Sequence, residues 1–390
     1  MRNEKILIVG AGVSGLVAAL ELEKAGFQTS ILEKSNHVGG RLRTDLKSDV
    51  PFDHGFQVLL TAYPLAQKYL DYNALDLRHF RPGAVLHTPQ GRLKLGDPLR
   101  DLSALFSTLS LKHSTISDKF KILQLQKELT RKSVEEIFNS EDISTAEFLI
   151  KKGFSDRILR HFFRPFLSGI FLEKNLETSA RMFQFIFKMF STGSAAIPAK
   201  GIQEIAHQLS GQLKHGQIHF EKEVLRVDDH ELVLKENQRM PFDRVILTVP
   251  LEQIPQYREV SNYYFSTASG ILEKDILHLS SSEGKVNNFH VLFEKTKNGR
   301  SVLSATVVGE KADTAAIKNE LEAITGIGDL ESLETYHIKY ALPVIPDMTH
   351  EMDEPQSGHV FYAGDYLLYP SLNAAMRSGE MAAKAVVESI

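Results

Sequence analysis

The order of apolar and polar residues divides the chain into stretches of different period. Ile6 to Val9 is an unbroken apolar run, the pattern of a parallel strand buried on both faces. Gly10-Ala11-Gly12-Val13-Ser14-Gly15 comes at once after it, and Leu16, Val17 and Leu20 then recur at helical spacing until Gly26, which suits the C′ position. Thr29 to Leu32 form the next strand, closed by Glu33. Near the other end Val360 to Ala363 read as an apolar strand ending in Gly364-Asp365, and a helix runs from about Ser371 to the end.

The middle of the chain is less regular. Leu75 to Leu99 breaks into short strand-like pieces at Pro82-Gly83, Pro89, Gly91 and Gly96. Ser117 is expected to cap a helix running to about Phe138, with Phe120, Leu123 and Leu129 facing inward. Ser144 and Glu147 have capping-box spacing, and Gly153 closes the short helix they start. An aromatic block, His161 to Phe171 and then Arg181 to Phe190, is apolar nearly all round in its second half. It reads as the core of a helical region, with a tunnel wall for an apolar substrate or a membrane-facing surface as alternatives.

Pro198-Ala199-Lys200-Gly201 opens a helix over Ile202 to Leu213, with a strand over His219 to Val227 after it and a hairpin of Leu232 to Leu234 with Asp243 to Pro250. Tyr263 to Phe265, Asn288 to Phe293 and Ser301 to Val308 read as strands of one sheet, with a turn at Lys297-Asn298-Gly299 and a helix over Asp313 to Ile324. Read locally, Asp53-His54-Gly55-Phe56-Gln57 is a hairpin turn around Gly55, and His54 is either a packed residue or an acid-base group.

Composition narrows the classes. The 390 residues carry 45 Lys plus Arg against 49 Asp plus Glu, a formal net charge of −4, so no positive excess awaits a nucleic acid. The absence of cysteine excludes disulfides, thiolate metal ligands and a cysteinyl link to a cofactor, and fits a reducing compartment. The chain enters its first strand without the regions of a signal peptide, and no apolar run nears the ~20 residues that cross a bilayer. A cytoplasmic protein is expected, with peripheral membrane contact as the alternative. Length permits one large domain or two, and no HExxH, GxSxG or GxxxxGK[ST] motif and no clustered metal ligands occur, so no metal site is expected.

The glycine turn carries the chemistry. Gly10 allows the tight turn, Gly12 lets a pyrophosphate approach the backbone, and Gly15 lets the helix pack on the strand. The helix N-terminus offers free N–H groups and a positive dipole end to the phosphates, and Glu33 stands where an acid receives ribose hydroxyls. The unit reads as an adenine-dinucleotide site.

Val38-Gly39-Gly40-Arg41-Leu42-Arg43-Thr44 adds a second glycine pair with cations close behind Glu33. A glycine turn, an acid, then GGR resembles the flavoprotein superfamily of monoamine and polyamine oxidases, protoporphyrinogen oxidase and phytoene desaturases. That resemblance implies an α/β fold: a Rossmann-like, glutathione-reductase-like FAD-binding domain, discontinuous over 1–75, 195–250 and 340–390, with an inserted α+β substrate domain over 76–194 and 251–339. It implies FAD as the cofactor, held by Gly10, Gly12, Val13, Ser14, Gly15, Glu33, Lys34, Gly39, Gly40 and Arg41. Gly55 and Phe56 would run beside the flavin ring, and backbone groups at Val224 would hold the adenine. Gly364 and Asp365 would bond the ribityl or pyrophosphate part. Ser371, Leu372, Asn373 and Ala374 would open the last helix toward the pyrimidine, where a helix N-terminus stabilises reduced flavin. The superfamily usually has glycine where Asn373 stands.

For activity, the resemblance implies an FAD-dependent oxidoreductase, desaturase or oxidase in type, that moves hydride from an apolar or amine substrate to flavin N5, with oxygen or a quinone as acceptor. The FRPFLSGIF block looks more like the desaturase branch, and no equivalent of the amine-oxidase lysine stands out. Phe56, Gln57, Tyr340, Tyr366 and Tyr369 are candidates around the ring, each read as packing before catalysis. Open alternatives are a flavin-dependent isomerase or mutase without net redox change, a renalase-like oxidation of reduced nicotinamides, and a prenyl binder like the Rab GDP-dissociation inhibitors.

Overall fold

The computed structural model describes residues 2–88, 91–95, 115–251, 255–269, 272–280, 284–293, 296–352 and 358–390. Five strands form a parallel sheet in the order Gln217–His219, Phe27–Leu32, Arg2–Val9, Arg244–Leu247, Val360–Tyr362. The apolar run of the first strand serves both faces. Ile6 and Ile8 pack with the helices Val13–Lys24 and Leu372–Glu388, whereas Leu7 and Val9 pack with Val224, Leu232, Leu234 and Phe242. The latter group belongs to a three-stranded antiparallel sheet of Val224–Asp228, Glu231–Leu234 and Arg239–Pro241.

Two expectations change here. The strand foreseen over His219 to Val227 is two strands in different sheets, separated by Glu221 in the left-handed region at φ 57°. Leu232 to Leu234 does not pair with the segment after Asp243. Its partners are Val224–Asp228 and Arg239–Pro241, while Arg244–Leu247 inserts beside the first strand, where both of its faces find apolar cover.

A seven-stranded sheet runs Glu331–Pro343, Tyr257–Thr267, Ser301–Val308, Val286–Phe293, Leu277–Ser280, Ala84–Thr88, Gly91–Leu95. Alternation sorts its side chains. Tyr263, Phe265, Phe289, Val291, Leu303, Ala305 and Val307 point to one face, where helix Thr314–Thr325 contributes Ile317 and Leu321 to the same core. The other face meets the hairpin Thr44–Lys47 and Val50–Asp53, with Val50, Phe52, Tyr264 and Val302 in contact. Pro89, Gly96 and Leu99, the remainder of the foreseen short-strand region, lie outside the described residues.

The named elements between residues 116 and 192 are all helices. The helix expected from Ser117 to Phe138 is instead capped by Thr115 in a reciprocal box with Asp118, ends at Arg131, and gives way to Val134–Phe138 under a second box of Ser133 with Glu136. Phe120, expected to face inward, is 58% exposed and Leu123 is half-buried, while Leu125 and Leu129 are buried. Phe163, Phe171, Phe183 and Phe185 of the aromatic block are fully buried, while Phe162, Phe166, Ile170 and Phe190 are half-buried against the same core. Among the described residues no helix is long and apolar enough to cross a membrane.

Candidate functional site

The order of the parallel strands reverses at the first strand, whose neighbours are the second strand on one side and Arg244–Leu247 on the other. Open α/β sheets bind ligands outside the carboxyl ends at such a point. Gly10 and Thr248 stand there: a Cβ on Gly10, which has φ 103°, would overlap the Thr248 hydroxyl, and that hydroxyl donates to the Val9 carbonyl at 2.7 Å. Gly15 is fixed for a different reason, since its Cβ would overlap the Gly10 carbonyl oxygen.

Gly12 faces the other way. Nothing lies within 4 Å of a Cβ built on it, and its φ of −74° is open to any residue. The second glycine pair lies against it: Gly39 donates to the Ala11 carbonyl at 2.9 Å, and a Cβ on Gly40 would stand 3.5 Å from the Gly12 Cα. The two turns therefore bound a space free of side chains at the N-terminus of helix Val13–Lys24. Val13, Ser14 and Gly15 are its first residues and are buried.

Glu33 is buried and organised. One oxygen accepts from the Ala11 N–H at 2.8 Å, and the other from the Ser35 N–H at 2.9 Å and hydroxyl at 2.8 Å. A carboxylate accepts roughly four hydrogen bonds, so these donors leave about one position for a ligand rather than a pair. Lys222 N–H donates to the Glu33 carbonyl at 2.8 Å, which brings Val224 alongside. Lys34 is exposed and points from the surface beside this cluster.

The far end of the chain comes to the same place. Arg41, from the second glycine pair, pairs with Asp365, whose side chain is buried, and also donates to the Ala341 carbonyl at 3.4 Å. Gly364 adopts φ 147°, a Cβ there would overlap the Tyr366 ring, and its N–H donates to the Ser378 hydroxyl at 2.8 Å. Ser378 bonds Ser14 at 3.3 Å, and a Cβ on Gly379 would overlap the Ser14 carbonyl. The last helix thus crosses the first at backbone contact. Ser371 caps it by accepting from the Ala374 N–H at 3.0 Å, with Leu372 as its first residue. Asn373 does not intrude: its side chain turns into the interior, accepting from the Leu65 N–H and donating to the Tyr369 hydroxyl, each at 3.0 Å.

Gly55 stands at φ 96° under the inner face of the seven-stranded sheet, against Ile338 and Val260. It is not a hairpin turn. The hairpin turns six residues earlier at Ser48 and Asp49, both in the left-handed region at φ 51° and 65°, the pattern of a type I′ connection. Phe56 packs on Phe80 and His290. Gln57 donates to the Arg41 carbonyl at 2.9 Å and so ties the segment to the second glycine pair. His54 stacks on Tyr336 at 4.0 Å with Asp45 3.0 Å away, and burial holds its pKa below the usual value.

Three ring candidates separate. Tyr369 is corrected to a core residue: it is fully buried, stacked on Phe138 at 4.2 Å, and leaves no face for a ligand ring. Tyr340 is 61% exposed, edge-on to Tyr257. Tyr366 keeps a buried hydroxyl without a hydrogen-bond partner among the described residues, and burial raises its pKa.

The acid ahead of Gly55 and the turn at Gly201 complete the frame. Asp53 is buried, accepts from the Thr44 hydroxyl at 2.6 Å and the Ile202 N–H at 3.0 Å, and burial pushes its pKa up to about 6. Gln203 locks to Thr44 in both directions and donates to the Val38 carbonyl at 2.8 Å. Gly201, at φ 100°, lets this turn approach Thr44. Asp53 and Gly201 carried a sequence signal; Gln203, an isolated polar residue, carried none.

A sequence model of the family described as flavin containing amine oxidoreductase matches residues 13–317. Protoporphyrinogen oxidase 2 of Arabidopsis thaliana is 26% identical over 168 residues, 43% of this chain. An L-amino-acid oxidase of Sistrurus catenatus edwardsii is 42% identical over 77 residues, 20% of this chain. These matches span 32% and 15% of the relatives' own lengths. The cyclohexylamine oxidase of Brevibacterium oxydans shares the fold over 99% of both chains, with a TM-score of 0.71 at 14% identity. With more than half of its residues matched by the family pattern, and with both glycine turns meeting the closing Gly-Asp turn, this chain belongs to the flavin containing amine oxidoreductase family.

Proposed function

We propose that the chain is an FAD-dependent oxidoreductase of the oxidase or desaturase type, acting on an amine or apolar small molecule, with oxygen or a quinone as acceptor. The single observation behind this reading is the side-chain-free space between Gly12 and Gly40, closed by the Arg41–Asp365 pair and by the crossing of the first and last helices. A pyrophosphate needs such a backbone-lined space at a helix N-terminus.

In this reading residues 1–75, 195–250 and 340–390 form the cofactor domain, and 76–194 with 251–339 the substrate domain. Gly10, Gly12, Val13, Ser14 and Gly15 receive the pyrophosphate, with Gly39, Gly40 and Arg41 beside it. Glu33 takes a ribose hydroxyl with its remaining acceptor position, and Val224 flanks the adenine. Gly364, Asp365 and the residues Ser371 to Ala374 hold the flavin end, where the helix dipole favours negative charge. Bound FAD supplies a hydride-accepting ring, which the chain itself lacks. The protein orients the ring with Gly55 and Phe56, keeps water from it with the seven-stranded sheet, and places the substrate beneath that sheet.

The visible spectrum of protein purified with FAD in excess tests the reading. A flavin spectrum that bleaches anaerobically with an amine, a porphyrinogen or a carotenoid supports it. A colourless protein sinks it.

A further inference from the structure

Tyr366 and Tyr369 lie close together where the strand Val360–Tyr362 gives way to the last helix, and they are held in opposite ways. Tyr369 is fully buried, stacked on Phe138 and edge-on to Phe185 at 5.1 Å, and its hydroxyl receives the Asn373 amide. Tyr366 is partly exposed, yet its hydroxyl oxygen is buried and has no hydrogen-bond partner among the described residues. It is the one tyrosine among them in that state. A tyrosine ordinarily does the reverse, burying its ring and leaving the hydroxyl where water or a partner reaches it.

A Cβ on Gly364 would overlap the Cδ1 and Cε1 atoms of Tyr366, so the ring lies over the closing glycine turn. The same glycine donates to Ser378, which bonds Ser14 in the first turn of helix Val13–Lys24. Asp365, between Gly364 and Tyr366, pairs with Arg41 of the second glycine pair. Tyr366 therefore stands where the two ends of the chain close the side-chain-free space beside Gly12 and Gly40.

The hydroxyl offers a donor. Burial, with Tyr257, Asp365 and Tyr362 around the phenol, raises its pKa and keeps the proton on the oxygen. The turn itself leaves that proton unused: Asp365 gives a carboxylate oxygen to Arg41, and the carbonyls of Gly364 and Asp365 accept from the N–H groups of Leu367 and Leu368 at 3.2 and 3.1 Å. An unmet buried hydroxyl is costly, and such a group calls for a ligand or an ordered water.

We propose that the Tyr366 hydroxyl is a cofactor-binding donor, placed for an oxygen on the pyrophosphate or ribityl segment of FAD. The proposal rests on the oxidoreductase reading and adds to its backbone cradle a side chain that is satisfied only when the cofactor is bound. A phosphate oxygen would receive the phenol in a charge-assisted bond, a ribityl hydroxyl in a neutral one. Without cofactor the protein carries an unpaired buried hydroxyl, so Tyr366 favours cofactor affinity at the expense of the stability of the empty protein.

Two measurements on Tyr366→Phe beside the wild type test it: titration of the full-length apoprotein with FAD, read by the change in flavin fluorescence, and the thermal melt of the apoprotein. Loss of the hydroxyl should weaken FAD binding about tenfold, while the variant apoprotein melts at the wild-type temperature or above it. Competition by ADP, which carries a pyrophosphate and no ribityl chain, locates the acceptor. ADP affinity that falls alongside that of FAD supports a phosphate oxygen, and ADP affinity that stays unchanged supports a ribityl oxygen. Equal FAD affinity in variant and wild type overturns the inference, because water then serves the hydroxyl. A lower apoprotein melt, or a variant that does not fold, overturns it too, because the hydroxyl then has a partner within the protein. A wild type that binds no FAD overturns the oxidoreductase reading and this inference together, whereas equal affinities overturn the inference alone.

Discussion

The cradle at the carboxyl ends of the parallel strands and the roof formed by the seven-stranded sheet draw their chemistry from different parts of the chain. The cradle is backbone. Gly10, Gly15, Gly39, Gly364 and Gly379 each stand where a Cβ would overlap a neighbour, and Gly12 stands where a Cβ would enter the open space assigned above to the cofactor. The roof is side chain, with Asn262, Ser304, Thr306, Asn288 and His290 among the buried polar residues of its sheet. A cradle of this kind tolerates almost no substitution but serves any chemistry of its family, whereas the roof is free to vary and selects what is bound beneath it.

The largest expected effect separates the two regions. Gly15→Val drives a branched side chain into the Gly10 carbonyl and should abolish soluble folded protein, read as loss of expression yield and of a cooperative melt. Phe183→Ala, packed on Phe148, Phe163 and Phe187 inside the helical layer, should leave flavin binding intact while costing about 3–5 kcal/mol in urea unfolding. Flavin loss in that variant before unfolding would show that the layers are not separate in this sense.

Acid should distinguish the regions further. His290 has a folded pKa of about 3 against 6.5 when free, so the unfolded state gains its proton first and stability is lost as pH falls from 6.5 toward 3. Asp53 has the opposite sign: its folded pKa of about 6 lies above 3.8, so stability is lost as pH rises from 4 to 6, by on the order of 3 kcal/mol. Between pH 4 and 6 the two oppose each other. Urea unfolding across that window should show a flatter acid loss for His290→Phe and a steeper one for Asp53→Asn; parallel curves for all three proteins would contradict the burial assigned to both groups.

Arg41→Ala removes the cation that joins the second glycine turn to the Asp365 carboxylate and leaves that carboxylate buried and unpaired. A cost of about 2 kcal/mol is expected, with weakened retention of FAD through dialysis. Unchanged retention would mean that the two ends are held by the helix crossing alone.

The same contrast between backbone and side chain accounts for how much of the molecule is legible in its sequence. Ile6 to Val9, the glycine turn and Glu33 announce themselves because a parallel strand needs apolar residues on both faces and a tight turn needs glycine. The closing Gly364-Asp365 turn is legible for the same reason. The Ser48-Asp49 hairpin carries no glycine, and its left-handed conformations fall on residues that give no local sign of them. The helix cap lies at Thr115 rather than Ser117 because the reciprocal bond with Asp118 satisfies two backbone donors, and the break at Lys132 falls where the apolar spacing carries on unbroken. Asn288 and His290 alternate with Phe289 and Val291 as on any half-exposed strand; that the second face is covered as well is decided by Phe56 and Phe80, which are distant in sequence.

Gly12→Ala offers the most direct measurement, because nothing in the protein itself opposes the added methyl group. Replacing an N-cap glycine by alanine costs about 1 kcal/mol at most, so the variant should fold and melt close to the wild type. Purified beside it with FAD in excess, it should be colourless while the wild type shows the flavin spectrum. A variant that retains flavin as tightly as the wild type would contradict the assignment of this space to the cofactor's pyrophosphate.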